Sequence, residues 1–149
     1  FFNKEVKELS NTKDFEQALE MAKALNKPIL IDFTGYGCVN CREMEEQVWV
    51  QKDIQDLMSK YVITSLFVDD RTPLPEAEQY NSNETGKLKR IQTIGNKWTD
   101  FEIRHFKKAS QPFYVLVDKN MNVLTTPIGY SDASTFKKFL QCGLEEFGK

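Results

Sequence analysis

The chain has 149 residues, of which 40% are hydrophobic and 12% aromatic, enough to fill one core but not two, so a single domain over 1–149 is expected. Its 22 acidic and 20 basic side chains are mixed along the sequence for a formal net charge of -2, which leaves no basic field for nucleic acid or anionic lipid. No apolar stretch approaches the roughly 18–20 residues that cross a bilayer, and the opening stretch from Phe1 to Glu8 lacks the apolar centre of a signal peptide. Because the first residue is Phe1, the sequence reads as a mature product or an excised domain.

After a polar lead-in, Phe15, Ala18, Leu19, Ala22 and Leu25 recur at helical spacing behind candidate caps Asn11 and Thr12, predicting an amphipathic helix that ends near Asn26. Ile29 to Phe33 follows as a short, nearly continuous apolar run broken only by Asp32, the pattern of a strand covered on both faces. From Cys38 through Trp49 there is no Pro or Gly. Glu43, Glu45 and Glu46 are read there as lying in the first turns, at the positive end of a helix.

A second helical stretch is predicted over Asp53 to Tyr61, then strands over Val62 to Val68, Phe113 to Asp118 and Asn122 to Thr126. The last two are expected to pair as a hairpin through the turn residues Lys119 to Asn122. Between the second and third strands lies an irregular insert, residues 70–110, punctuated by Pro73, Pro75, Asn81, Ser82, Asn83 and Gly86. Within it a helix is predicted over Lys97 to Lys107. The closing helix places Phe136, Phe139, Leu140, Gly143, Leu144 and Phe147 on one face behind Ser131 or Asp132. The order α-β-α-β, insert, β-β-α describes an α/β fold, a central mixed sheet flanked by helices.

Of three cysteines, two stand as Cys38-Val39-Asn40-Cys41 on the loop leaving a central strand, where such sheets place their sites. Two cysteines three apart at a helix start can close a disulfide without large backbone movement. Cys38 meets the unpaired N–H groups and positive pole of the helix, which favour thiolate over thiol, so it is the expected nucleophile. Cys41, one turn inward, is the expected resolving thiol. Asp32, a lone carboxylate in an apolar strand six residues before Cys38, is the expected proton acceptor for Cys41. The competing reading of Asp32 is a partly exposed or merely satisfied strand residue. The competing reading of the pair is a zinc site, because Cys38, Cys41, His105 and Cys142 add up to a Cys3His set. The wide spacing of the last two speaks against it.

The strand Lys27 to Phe33 running into Gly37-Cys38-Val39-Asn40-Cys41-Arg42 resembles the thioredoxin superfamily over nearly the whole chain. Arg42-Glu43-Met44-Glu45 and the later Thr72-Pro73-Leu74-Pro75 look most like the C-terminal domain of DsbD-type thiol:disulfide interchange proteins, in its Bacteroidetes-like form. The resemblance implies a thioredoxin-like fold and reduction of partners by dithiol-disulfide exchange, with no cofactor or metal beyond the cysteine pair. It further implies a periplasmic location, a membrane-embedded electron-donor domain upstream and periplasmic thiol proteins as partners; a monomer is the default expectation.

It also makes Pro112 the superfamily's cis-proline. Gln111 beside it would offer its backbone to an extended partner segment by strand addition, against an ordinary trans proline opening a strand. Two departures stand out: Gly37 replaces the tryptophan usual before the first cysteine, and Ser65 stands where a lysine is frequent near the buried Asp. Tyr36 either supplies the missing aromatic cover at the partner-binding surface or is a surface tyrosine.

His105 is read as a surface histidine without a role, Cys142 as a free structural thiol, and Trp98, Phe101 and Phe106 as a packing face. Against the interchange reading stand a free-standing thioredoxin-like reductase and a redox-inert thioredoxin-like binding or chaperone module, the latter suggested by the long insert and the absent tryptophan.

Overall fold

A computed structural model describes residues 11–149, and the polar lead-in read over residues 1–10 lies outside the described residues. Its centre is a four-stranded sheet in the order β1-β3-β2-β6, formed by β1 (Asn11–Thr12), β2 (Ile29–Thr34), β3 (Val62–Phe67) and β6 (Phe113–Val117). β2 runs parallel to β3 and antiparallel to β6. The sheet is therefore mixed, as the element order predicts. Every residue of β2, β3 and β6 is buried, which is why these strands read as continuous apolar runs rather than alternating ones.

The two faces of the sheet carry separate cores. On one, α1 (Phe15–Leu25) and α4 (Ile94–Phe106) bring Phe15, Ala18, Ala22 and Trp98 onto Ile29, Ile31, Phe33 and Val115. On the other, α2 (Val39–Gln47), α3 (Lys52–Met58) and α5 (Ala133–Phe147) bring Met44, Ile54, Met58, Phe136 and Leu140 onto Leu30, Ile63, Tyr114 and Leu116. Because alternate strand residues face opposite ways, Asp32 shares the Leu30 face, beneath α2. α5 approaches the sheet closely at Gly143, where an added Cβ would run into the side chain of Leu116 and meet Tyr61 Oη at 2.5 Å.

Several boundaries differ from the sequence reading. Asn11 and Thr12 do not cap α1. They form β1 on β3, with Thr12 Oγ1 donating to Thr64 Oγ1 at 3.0 Å, and the cap is Asp14, whose Oδ1 accepts from Glu16 N–H at 2.9 Å. Asn26 ends α1 in the left-handed region (φ 52°), a position asparagine tolerates. α3 stops at Met58, short of Tyr61, whose hydroxyl instead donates to the carbonyl of Leu140 on α5 at 2.6 Å.

The predicted strand over Asn122 to Thr126 is not a regular strand. The chain returns antiparallel to β6 through two isolated bridges, Val117 with Val123 and Tyr114 with Ile128, whose registers differ by two residues. Pro127, without an N–H, sits inside that slip. Asp132, the second of the two candidate caps, starts α5 by accepting from Thr135 N–H at 2.8 Å.

The insert is folded rather than loose. It holds a hairpin, β4 (Tyr80–Ser82) with β5 (Lys89–Ile91), that the sequence reading does not contain. The helix after it begins three residues earlier than predicted, at Ile94, because Thr93 and Asn96 form a reciprocal capping box. Buried Asp100 ties the two together, accepting from Tyr80 Oη at 2.8 Å, Arg104 Nη2 at 2.6 Å and the hydroxyl of Ser82.

Candidate active site

β2 ends at Thr34 and the chain crosses Gly35, Tyr36 and Gly37 before entering α2. The side chain of Asp69, just past β3, receives this crossing: Oδ1 accepts from Tyr36 N–H at 2.9 Å and Oδ2 from Gly37 N–H at 3.0 Å. A Cβ on Gly35 would lie 3.1 Å from Asp69 Oδ2, so a glycine lets the loop close over the carboxylate. Cys38 then serves as N-cap of α2. Its Sγ accepts from Cys41 N–H at 3.2 Å, which places the sulfur at the unpaired end of the helix backbone.

Cys38 and Cys41 are joined by a disulfide, their Cα atoms 5.2 Å apart. Cys38 is half-buried, whereas Cys41 is only 1% exposed. A partner sulfur therefore reaches Cys38 first. α2 carries no acidic residue in its first turn: Glu43, Glu45 and Glu46 fall one turn further on than the sequence reading puts them.

Beneath α2 lies a pair of buried carboxylates. Asp32, 1% exposed, accepts from Ser65 Oγ at 3.0 Å across the β2–β3 register. Burial lifts its pKa from 3.8 to about 7. The charge of Glu45 pushes the same way, and Ser65 and Arg42 oppose it. Glu45, 3% exposed, is raised from 4.5 to about 7, again by burial first and against Arg42. Arg42 links the group, its Nη2 donating to Glu45 Oε2 at 3.0 Å and Thr34 Oγ1 at 2.9 Å. Among the described residues Glu45 Oε1 is buried without a hydrogen-bond partner. Tyr114 stands opposite Asp32 in the β2–β6 register, and burial with the nearby carboxylates holds its hydroxyl in the protonated form.

Sequence reasoning picked out Asp32 and missed Glu45, reading it only as one of three helix acids. The signal was its spacing, four residues after Cys41 and so on the same helix face. Asp69 was missed as well, since its role depends on the fold bringing residue 69 to residue 36.

The Gln111–Pro112 peptide bond is cis. Pairing of Phe113 with Phe33 sets Pro112 beside the end of β2, at the same end of the sheet from which the cysteine loop leaves. Gln111 is half-buried, with its amide turned to Glu102 Oε1 at 3.4 Å. Tyr36 is 47% exposed with its ring stacked on Phe67, centroids 4.0 Å apart, and Lys13 Nζ lies 3.4 Å from its hydroxyl.

His105 and Cys142 are not brought to the cysteine pair. His105 packs on Phe101 of α4 on one face of the sheet, while Cys142 belongs to α5 on the other, so the Cys3His set is not assembled. Trp98, Phe101 and Phe106 pack in the α1 and α4 core, as a packing face would.

A family model described as thioredoxin-like matches residues 10–119. The thiol:disulfide interchange protein DsbD of Vibrio cholerae is 29% identical over 65 residues, which is 44% of this chain and 11% of that protein, so the matched stretch spans a small part of the relative. Among solved structures, a thioredoxin from Thermus thermophilus aligns over 94% of this chain and 90% of its own, with a TM-score of 0.65 and 19% identity. The DsbD C-terminal domain of Neisseria meningitidis in its reduced form aligns over 87% and 96%, with a TM-score of 0.60 and 15% identity. With its mixed sheet, its Cys38–Cys41 disulfide at the start of α2 and a family match over most of its length, the chain belongs to the thioredoxin-like family.

Proposed function

We propose that this domain is a thiol:disulfide oxidoreductase that passes reducing equivalents from the Cys38/Cys41 dithiol to disulfides in partner proteins. The observation that carries the reading is a disulfide with unequal exposure, Cys38 accessible at a helix N-terminus and Cys41 buried, set over two carboxylates poised near neutrality.

In the reduced form the Cys38 thiolate attacks one sulfur of the partner disulfide, forming a mixed disulfide and expelling the other partner sulfur as a thiolate. Cys41 gives its proton to the Asp32–Glu45 pair and attacks Cys38 Sγ. The Cys38–Cys41 bond forms, the mixed bond breaks, and the partner leaves with both sulfurs reduced. The two electrons lost by Cys38 and Cys41 are those gained by the partner disulfide. A carboxyl with a pKa of about 7 suits the proton step, because it changes charge near working pH.

Pro112 and the backbone of Gln111 receive the partner segment beside Cys38, and Tyr36 provides an aromatic rim. No cofactor or metal takes part. The likeness to DsbD supports a periplasmic setting in which a membrane-embedded dithiol donor re-reduces Cys38–Cys41 and periplasmic thiol proteins are the clients. Among the described residues no helix is long and apolar enough to cross a membrane, so the donor would have to lie outside them. Insulin reduction with dithiothreitol as donor tests the reading. Turnover by the wild type that is lost in Cys38→Ser supports it, and turnover no faster than dithiothreitol alone contradicts it.

A further inference from the structure

Glu102 is a buried acid that the exchange chemistry does not use. Glu102 lies within α4, 0% exposed, and its carboxylate reaches out of the helix to the segment that precedes Pro112. Oε2 accepts from the backbone N–H of Ser110 at 3.3 Å, and Oε1 accepts from Gln111 Nε2 at 3.4 Å. Both partners are donors and neither is a cation. Burial raises the pKa to about 8 while these two hydrogen bonds pull it down.

A carboxyl placed so deep is costly unless its contacts serve the fold or the site. The contacts bridge an irregular stretch: α4 ends with Lys107 in the left-handed region (φ 58°), and no regular structure intervenes before β6 begins at Phe113. Glu102 thus anchors, from inside, the residues that stand beside the cysteine loop at the end of β2. The same bond directs the Gln111 side-chain amide to the buried Glu102 carboxyl.

Resting on the oxidoreductase reading, we infer that Glu102 is a positioning residue for partner recognition. It holds the Ser110–Gln111 backbone in place to pair with the extended segment carrying the disulfide that Cys38 attacks. Recognition at this point then reads backbone, which suits clients of differing sequence.

The chemistry separates shape from charge. Glu102→Gln can keep both contacts, its Oε1 accepting from Ser110 N–H and its Nε2 donating to the carbonyl oxygen of Gln111 once that amide turns over. Glu102→Met fills a similar volume and accepts nothing. Two substrates separate recognition from reactivity: insulin, whose chain can add as a strand, and a small aromatic disulfide, which has no strand to add.

Rate constants for both are measured on the reduced domain, together with the reduction potential of each variant. Glu102→Met is expected to lose about tenfold on insulin, the scale of one lost hydrogen-bonded contact in the transition state. Its rate on the small disulfide and its potential stay at wild-type values, and Glu102→Gln keeps the insulin rate. Should Glu102→Met fail to fold, Glu102→Asp keeps a carboxyl group but draws it one methylene back, and the same selective loss is expected.

Wild-type insulin reduction in Glu102→Met, an equal loss on both substrates, or a Glu102→Gln as impaired as Glu102→Met would each overturn the positioning role. A wild type inert toward both disulfides would overturn the oxidoreductase reading instead.

Discussion

Replacing Asp32 by Asn removes a buried charge and a proton acceptor together, and the two effects have opposite signs. Holding Asp32 at a pKa of about 7 against 3.8 means that its ionised form is disfavoured in the fold by about 4 kcal/mol. Between these two values the unfolded chain binds fewer protons at this site than the folded one, so its contribution to stability falls as pH rises. That loss is complete above about pH 7. Asn keeps an acceptor for Ser65 Oγ but weakens that bond by about 1 kcal/mol. The substitution should therefore stabilise the oxidised domain by about 3 kcal/mol near pH 8.5 and leave its stability unchanged to within about 1 kcal/mol near pH 4, where Asp32 is protonated in the fold and only about half ionised in the unfolded chain, a gain that the weaker Ser65 bond cancels.

Urea denaturation of wild type and Asp32→Asn at the two pH values measures the difference. A gain of equal size at both, or a loss near pH 8.5, would mean that Asp32 is not an ionising buried group. The same variant should slow closure of the Cys38–Cys41 bond from a mixed disulfide by about 100-fold, the low end of general-base contributions.

Glu45→Gln removes the negative neighbour that helps to raise Asp32, so the pH midpoint for closure of the disulfide should move below about 7. A stopped-flow pH profile reads this, and an unmoved or higher midpoint contradicts it. Cys41→Ser should trap the partner on Cys38 as a stable mixed disulfide visible by mass, since the second attack is lost; release of the partner at wild-type rate would be inconsistent with the assigned roles. Gly143→Ala drives a methyl into Leu116 and Tyr61, and should cost about 1–3 kcal/mol in urea denaturation with the redox equilibrium unchanged.

Where local pattern and tertiary role coincide, the sequence could be read directly. β2, β3 and β6 are buried on both faces, so their apolar runs carried the signal, and the spacing of Cys38 and Cys41 carried the chemistry. Asp32 stood out because a carboxylate is rare in such a run. What stayed hidden depends on partners far along the chain. Asn11 and Thr12 look like caps, but parallel pairing with β3 takes them into the sheet and leaves the cap to Asp14.

The hairpin in the insert has three-residue strands, too short for an alternation to show. The ladder after β6 was misjudged because the slip that accommodates Pro127 is a matter of register, which no propensity reports. Glu45, Asp69 and Glu102 are ordinary acids in sequence. They acquire roles only when the fold brings Asp32, the Tyr36 loop and Ser110 against them.

Equilibrating the domain across a dithiothreitol or glutathione redox series and counting free thiols by alkylation and mass, with Cys142→Ser as control, shows whether Cys38 and Cys41 form a reversible redox pair. One two-electron transition confined to Cys38 and Cys41 is expected, at a potential low enough to reduce partner disulfides and unchanged by loss of Cys142. A pair that shows no reversible bond across the series, or a transition that requires Cys142, would contradict the oxidoreductase reading.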